Sequence, residues 1–228
     1  MFEKKILVIA AHPDDEVLGC GGTLSKFKKK TIQIVFLSDG VSSRGNNLKK
    51  EINYRKKSAL NFSKTITRLK PIFFNYPDNS FDTVRFLNIV KSIEKIVQDF
   101  QPDTILTHSS SDLNIDHRIT NNAVITAVRP IIKYDFVKTI LFFEILSSTE
   151  CNFSNNFTNF NPKVFVDISK NIKKKINGMN FYKKELRTWP HPRSKIGVET
   201  LAKFRGLSSN IKFAEAFEVG RLFLKWTY

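Results

Sequence analysis

Residues 5–16 read KILVIAAHPDDE, an apolar run that leads directly into a histidine and three acidic residues. A continuous apolar run over residues 5–11, without polar alternation, is typical of a strand buried on both faces of a sheet. Such strands belong to parallel sheets whose two faces are covered by helices. The opening segment therefore predicts the first strand of an α/β fold.

The segments that follow alternate between strand and helix patterns. Short apolar runs indicate strands, and apolar residues at 3.6-residue spacing indicate helices. In chain order these patterns predict a helix at 16–29, a strand at 31–38, a helix at 49–63, a strand at 71–76, a helix at 83–100 and a strand at 104–107. Strands joined by helical crossovers pair in parallel. We therefore predict an α/β, Rossmann-like, mostly parallel sheet flanked by helices.

The pattern weakens beyond about residue 130. Further strands are expected at 138–143 and 163–166, and helices at 169–187 and 195–208. No internal repeat or long linker divides the chain. The sequence therefore predicts one three-layer domain over residues 1–228, with a core over about 1–130 and a C-terminal extension over about 131–228.

The composition is that of a globular protein with a strong positive charge. Hydrophobic residues make up 41%, and 37 Lys and Arg stand against 21 Asp and Glu, a net charge of +16. This charge attracts anions such as nucleic acid, but no nucleic-acid-binding motif accompanies it, so we rank that function last. Two cysteines cannot form a disulfide framework, and no apolar run approaches the ~18 residues of a membrane span. We expect a cytoplasmic protein in a reducing compartment.

The loop after the first strand carries the clearest chemistry. Ligands of open parallel sheets bind beyond the carboxyl ends of the strands. Pro13 biases His12 towards an extended conformation, and Asp15 can then turn to the same side. The acidic residues could simply cap the next helix. Three in a row beside a histidine repel one another unless a cation sits among them, so we favour a metal site.

A second loop follows the strand at 104–107 and contains Asp116 and His117. His117 would begin a helix and could meet the first loop across the sheet edge. His12, Asp15 and His117 together form a set of two histidines and one carboxylate with a position left for water. This is the donor set of a catalytic Zn²⁺ site, and Fe²⁺ accepts the same ligands. Asp116 is a candidate to hold a ligating imidazole from behind. The alternative is that Asp116 and His117 merely start the helix.

These segments resemble the LmbE/PIG-L family of zinc-dependent N-deacetylases. The resemblance rests on AHPDDE at 11–16, GCGGT at 19–23 and DHR at 116–118, and it extends from residue 5 to about 128. It is looser at HPRS, 191–194, and AEAF, 214–217. Members of this family remove acetyl groups from N-acetylated amino sugars, including inositol conjugates. The resemblance implies that His12, Asp15 and His117 hold zinc and that Asp14 is the general base.

The resemblance also implies substrate contacts. By position, Arg55 and Asp78 would bind the sugar, although Arg55 could be an ordinary helix-surface arginine and Asp78 a plain turn residue. Arg44 could bind a phosphate or sugar hydroxyls with its fork of donors, or be a loop residue without a role. His191, near Trp189, could close over a sugar ring or be structural.

One position departs from the family pattern. Many members have a histidine where this chain has Asn114, and that histidine is thought to stabilise the oxyanion. Asn114 offers an amide N–H but neither positive charge nor an acidic proton. His108 could supply the missing imidazole, or it could be a buried structural histidine. The oxyanion role stays open between Asn114 and His108.

The donor set predicts a metal-dependent hydrolase. The resemblance implies that it removes the acetyl group from an N-acetylated amino sugar in glycan or secondary-metabolite biosynthesis. The expected partner is a small-molecule amino sugar, with a phosphate, nucleotide, lipid or inositol as candidate attached groups. The alternative is a sugar- or nucleotide-binding protein that keeps the fold without turnover, with Asn114 as its warning sign. The sugar, its carrier and the oligomeric state are left open.

Overall fold

The computed structural model describes residues 4–27, 31–45, 48–153 and 159–223. Within these residues, seven strands form one sheet in the order β3-β2-β1-β4-β5-β7-β6. The strands are β1 Lys5–Ala10, β2 Thr31–Ser38, β3 Ile72–Tyr76, β4 Thr104–His108, β5 Thr139–Phe143, β6 Val164–Asp167 and β7 Ala214–Leu222. The helices are α1 Asp15–Lys26, α2 Leu48–Ile66, α3 Phe86–Phe100, α4 Ile115–Ala127, α5 Ile172–Met179 and α6 Lys195–Leu207.

The sheet is parallel from β3 to β5 and antiparallel at one edge. The central strand β1 pairs in parallel with both β2 and β4. Strand β7 runs antiparallel to β5 and to β6. The prediction of an α/β, mostly parallel sheet is confirmed, and the chain forms a single domain of this class.

Alternate residues of β1 face two separate apolar cores. Ile6, Val8 and Ala10 belong to a core shared with α1, α2, α5 and α6. Leu7 and Ile9 belong to a second core on the other face, shared with α3 and α4. Burial on both faces explains why β1 is a continuous apolar run instead of an alternating one.

Helix α1 is kinked at Cys20, and two charged side chains satisfy the backbone groups around the kink. The φ of Cys20 is −143°, outside the helical region. Glu215 on β7 accepts the N–H groups of Gly22 and Thr23 at 2.9 and 2.6 Å. Lys175 on α5 donates to the carbonyl of Leu18 at 2.6 Å and pairs with Glu215 at 2.5 Å. The buried ion pair therefore ties α1 to α5 and β7.

Several predicted boundaries differ from the structure. The predicted helix at 16–29 ends at Lys26, and residues 28–30 lie outside the described part of the chain. The helix at 83–100 begins at Phe86, because Phe81–Thr83 form a separate 3₁₀ turn. The predicted helix at 169–187 is shorter, since α5 ends at Met179 and a 3₁₀ turn follows at Asn180–Tyr182. Strand β7 was not predicted. Among the described residues, no helix is both long and apolar enough to cross a bilayer.

Candidate metal centre

Two loops meet at the carboxyl edge of the sheet. His12 follows β1, and His117 lies in the first turn of α4, which follows β4. Because β1 and β4 are hydrogen-bonded neighbours in parallel, their following loops lie side by side. Both histidines are buried, at 7% and 1% exposure. The topology thus brings together residues that are 105 positions apart.

His12, Asp15 and His117 present three donor atoms to one point. His12 Nδ1 lies 3.2 Å from His117 Nε2, and Asp15 Oδ2 lies 3.4 Å from each of these nitrogens. With metal–ligand bonds of about 2.0–2.1 Å, the ligand atoms of tetrahedral zinc lie about 3.3 Å apart. In addition, Asp15 Oδ1 is buried and has no hydrogen-bond partner among the residues that the structure describes. The three side chains therefore fit a small divalent metal ion.

The outer nitrogen of His12 faces two carboxylates. His12 Nε2 lies 3.1 Å from Asp116 Oδ2 and 3.2 Å from Asp78 Oδ1. Asp116 also accepts the backbone N–H groups of Asn79 and Phe81, at 2.7 and 3.0 Å. These contacts assign the proton to Nε2 and leave Nδ1 free to bind a metal. His12, Asp78 and Asp116 could be viewed as a second metal group. We interpret them instead as the support of the first, because Nε2 carries this proton.

Asp112 supports the other imidazole, and sequence reasoning missed it. Its Oδ1 lies 3.1 Å from His117 Nδ1. Ser148 Oγ donates to the same carboxylate, and Thr149 Oγ1 does so at 2.6 Å. Asp116, which we expected as a possible support, contacts the imidazole of His12. The available signal was its place in the same loop, five residues before His117.

Charge determines how these groups bind protons in the absence of metal. Burial alone would lower the pKa of His12, but Asp116 and Asp15 raise it to about 9. Burial likewise opposes protonation of His117, yet Asp15 and Asp112 raise its pKa to about 10. Burial would raise the pKa of Asp15, but the neighbouring His117 and His108 hold it well below its usual value. A cation at this point is therefore favoured electrostatically.

Asp14 precedes Asp15 in the chain, and its carboxylate lies close to two arginines. Its Oδ2 is 3.3 Å from Arg193 Nη1 and 3.5 Å from Arg55 Nη2. Burial raises the pKa of Asp14, and Arg55 and Arg193 oppose this shift. Asp14 and Arg193 line one cavity together with Tyr182 and Glu185. A carboxylate with a raised pKa at a cavity wall is suited to proton transfer.

Glu185 organises the arginines, and it too was missed by sequence reasoning. Arg55 Nη2 lies 2.7 Å from Glu185, and Arg44 binds the same carboxylate with both terminal nitrogens, at 2.9 and 3.2 Å. Burial would raise the pKa of Glu185, but Arg44 and Arg55 lower it to about 2. Gly40 has a φ of +72°, and a Cβ there would lie 2.3 Å from Arg55 Nη1. This close approach requires glycine.

The predicted substrate residues differ in accessibility. Arg55 and Asp78 are buried, at 2% and 3% exposure, and Asp78 also accepts a hydrogen bond from Ser43. The Arg44 side chain is half exposed, at 49%. His191 is exposed, and its Nδ1 accepts the backbone N–H of Arg193 at 3.0 Å. Arg44 and His191 are thus open to solvent, whereas Arg55 and Asp78 lie behind the site.

Asn114 and His108 occupy different environments. Asn114 caps α4, with its Oδ1 accepting the N–H groups of Asp116 and His117. His108 is fully buried, and its Nε2 accepts the N–H of Ala11 at 2.9 Å. The His108 ring stacks on His117 with centroids 3.9 Å apart. Burial lowers the pKa of His108 well below its usual value, so its imidazole is neutral.

Comparison with known proteins places the first part of the chain in a described family. The family model described as PIG-L, GlcNAc-PI de-N-acetylase, matches residues 7–128. A probable N-acetyl-α-D-glucosaminyl L-malate deacetylase 2 of Bacillus cereus is 26% identical over 138 residues, 56% of this chain. The chain spans 62% of the length of that relative.

Solved structures share the fold at low sequence identity. The N,N'-diacetylchitobiose deacetylase of Pyrococcus horikoshii is 20% identical, with a TM-score of 0.75 over 95% of this chain and 83% of its own. The 4-carboxy-2-hydroxymuconate hydratase GalB of Pseudomonas putida has the same TM-score at 18% identity, over 99% of this chain and 100% of its own. The fold therefore does not by itself determine the reaction. Since the family model covers more than half of the chain and includes both metal-centre loops, the protein belongs to the PIG-L family.

Proposed function

We propose that the protein is a metal-dependent N-deacetylase that hydrolyses the acetamide of an N-acetylated amino sugar. The observation that carries this proposal is the meeting of His12, Asp15 and His117 around one point. Asp14, the neighbour of Asp15 in the chain, adds a buried carboxylate held by arginines. Two of the similar proteins described above are named as deacetylases of N-acetylated sugars. Because one structural neighbour is a hydratase, the proposal is based on the chemistry of the site and not on the fold.

His12 Nδ1, Asp15 Oδ2 and His117 Nε2 are the atoms that would hold the metal. A bound Zn²⁺ or Fe²⁺ would supply an acidified water and polarise the acetyl carbonyl. Asp116 and Asp112 keep the two imidazoles in the tautomers that this binding requires.

Asp14 is the general base and then the general acid of the proposal. Its carboxylate accepts a proton from the attacking water and returns it to the departing amine. Arg55 and Arg193 lie within 3.5 Å of Asp14 and favour its charged form before the reaction begins. Burial raises the pKa of Asp14 and so favours its neutral form. These opposing effects suit a group that must both accept and release a proton.

Among the predicted substrate residues, the exposed ones would make the direct contacts with the substrate. Arg44 and His191 are exposed and would bind the sugar or an attached group. Arg55 and Asp78 are buried and would support the site without reaching the solvent. For the oxyanion we favour Asn114 over His108, because His108 is fully buried and its Nε2 accepts the N–H of Ala11. Asn114 offers a neutral N–H only, and this predicts a modest turnover.

The test is the release of acetate from N-acetylated amino sugars. Free, inositol-linked and nucleotide-linked N-acetylglucosamine would each be incubated with the protein after chelation, and again after addition of Zn²⁺ or Fe²⁺. We expect release only with metal, loss of release in Asp14→Asn, and no change in the exposed control Asp82→Asn. Binding of the sugars without release under any metal would support the non-catalytic alternative and contradict the proposal.

A further inference from the structure

The backbone of Asp14 adopts a conformation that is strained for any residue except glycine. Its φ is 121° and its ψ is −23°. Such conformations cost on the order of 1–3 kcal/mol and persist only where the surroundings enforce them. The Asp14 N–H donates to Glu16 Oε2 at 3.0 Å. If this hydrogen bond enforces the strained backbone, the Glu16 carboxylate must itself be held in place.

Glu16 is held by a residue from the far end of the chain. Glu16 has no exposed surface, and its second oxygen, Oε1, accepts a hydrogen bond from the Tyr182 hydroxyl. Tyr182 is 2% exposed, and its ring packs in the core shared by α1, α2, α5 and α6. It lies in the 3₁₀ turn Asn180–Tyr182, beyond the residues 7–128 that match the family model. A continuous path of two hydrogen bonds thus joins this turn to the backbone of Asp14.

The path fixes the direction of the Asp14 side chain. The Asp14 N–H fixes the plane of the Pro13–Asp14 peptide. Because its acceptor is the side chain of Glu16, two residues further along, the hydrogen bond also closes a ring through the Asp14 backbone and restricts its φ, and hence where Cβ points. The Asp14 carboxylate then lies within 3.5 Å of Arg55 and Arg193. Without the phenol, Glu16 would lose one of its two partners and could shift in its pocket.

We infer that Tyr182 and Glu16 are positioning residues that hold Asp14 in its working orientation. The inference rests on the proposed function, since it assigns them to the base of that reaction. Although the Tyr182 ring lines the same cavity as Asp14, its hydroxyl donates to Glu16, and neither polar group would touch the reacting atoms. The alternative is that Glu16 only caps the start of α1 and contributes stability.

Turnover of matched variants separates these two possibilities. In Tyr182→Phe we expect kcat to fall about tenfold or more, because small displacements of a reacting group are costly. KM and zinc content should stay within about twofold. Glu16→Gln should retain most of the activity, because its amide oxygen can still accept the Asp14 N–H and its NH₂ can bond the phenol oxygen.

A buried tyrosine elsewhere provides the control. Tyr134 is 3% exposed, lies in the second core, and its hydroxyl accepts a hydrogen bond from Gln98 at 3.0 Å. Tyr134→Phe should lower the thermal midpoint as much as Tyr182→Phe but leave kcat unchanged. Equal kcat values in the two variants would overturn the inference.

Hydrogen exchange gives a readout that does not depend on activity. In protein labelled with ¹⁵N-aspartate, the Asp14 amide should be protected in the wild type and in Glu16→Gln. It should exchange at least about tenfold faster in Tyr182→Phe. If this pattern appears in a protein that releases no acetate, the positioning contacts stand and the proposed function fails. If exchange at Asp14 is the same in all variants, the inference fails even in an active enzyme.

Discussion

Replacement of Asp112 should weaken zinc binding in graded steps. Asp112 Oδ1 is the atom that faces His117 Nδ1 and the backbone N–H of Asn114, at 3.1 and 2.8 Å. In Asp112→Asn the amide oxygen can occupy this place while its NH₂ faces the hydroxyl of Thr149, which can accept. The contact with His117 Nδ1 is then kept and only the negative charge is lost. Asp112→Ala loses both.

Loss of a carboxylate behind a ligating histidine costs about 10–100-fold in metal affinity. We expect Asp112→Asn near the lower end, about 1.4 kcal/mol, and Asp112→Ala near the upper end, about 2.7 kcal/mol. The zinc dissociation constant would be measured by competition with a chromophoric chelator, with thermal melts of the metal-free variants to confirm folding. The exposed control Asp99→Asn should bind like the wild type. Wild-type affinity in both folded Asp112 variants would refute the orientation of His117 described above.

Two further predictions follow from the buried charges. In metal-free protein the pKa values of His12 and His117 lie at about 9 and 10, above the unfolded value of 6.5, so their protonation stabilises the fold fully below pH 6.5. Melting after chelation should therefore show this stability declining as pH rises towards 10, while zinc affinity increases over the same range because the metal displaces these protons. Lys175→Met should lower the unfolding free energy in urea by about 3–5 kcal/mol, since it leaves Glu215 buried and uncompensated. Lys203→Met removes an exposed ion pair and should change the unfolding free energy by less than about 1 kcal/mol. Equal losses in the two variants would contradict the role assigned to the buried Lys175–Glu215 pair.

The metal donors could be anticipated because their placement follows from local rules. Apolar runs identify β1 and β4, and donors that follow neighbouring parallel strands meet at one edge. His12, Asp15 and His117 all lie within a few residues of these strand ends. The structure brings the three together, and whether they bind metal stays a prediction.

Residues that act across long separations could not be found in this way. Glu185 and Arg193 reach Asp14 and its arginines from irregular segments, where no periodicity fixes the direction of a side chain. Strand β7 was missed for a related reason. Its buried Glu215 binds the backbone of α1 and interrupts the alternation of apolar and polar residues that would indicate a strand. Such positions are determined by tertiary partners and not by their neighbours in the chain.

The bridged kink in α1 has a consequence for dissecting this molecule. A fragment that stopped at residue 128 would keep all three proposed metal ligands, yet it would lack Lys175, Glu215 and Tyr182. The carbonyl and amide groups at mid-helix would open to water, and the underside of the first helix would lose its apolar cover. The residues that match the family model, 7–128, are therefore not expected to fold when expressed alone. Engineered variants of this protein must keep both halves of the chain.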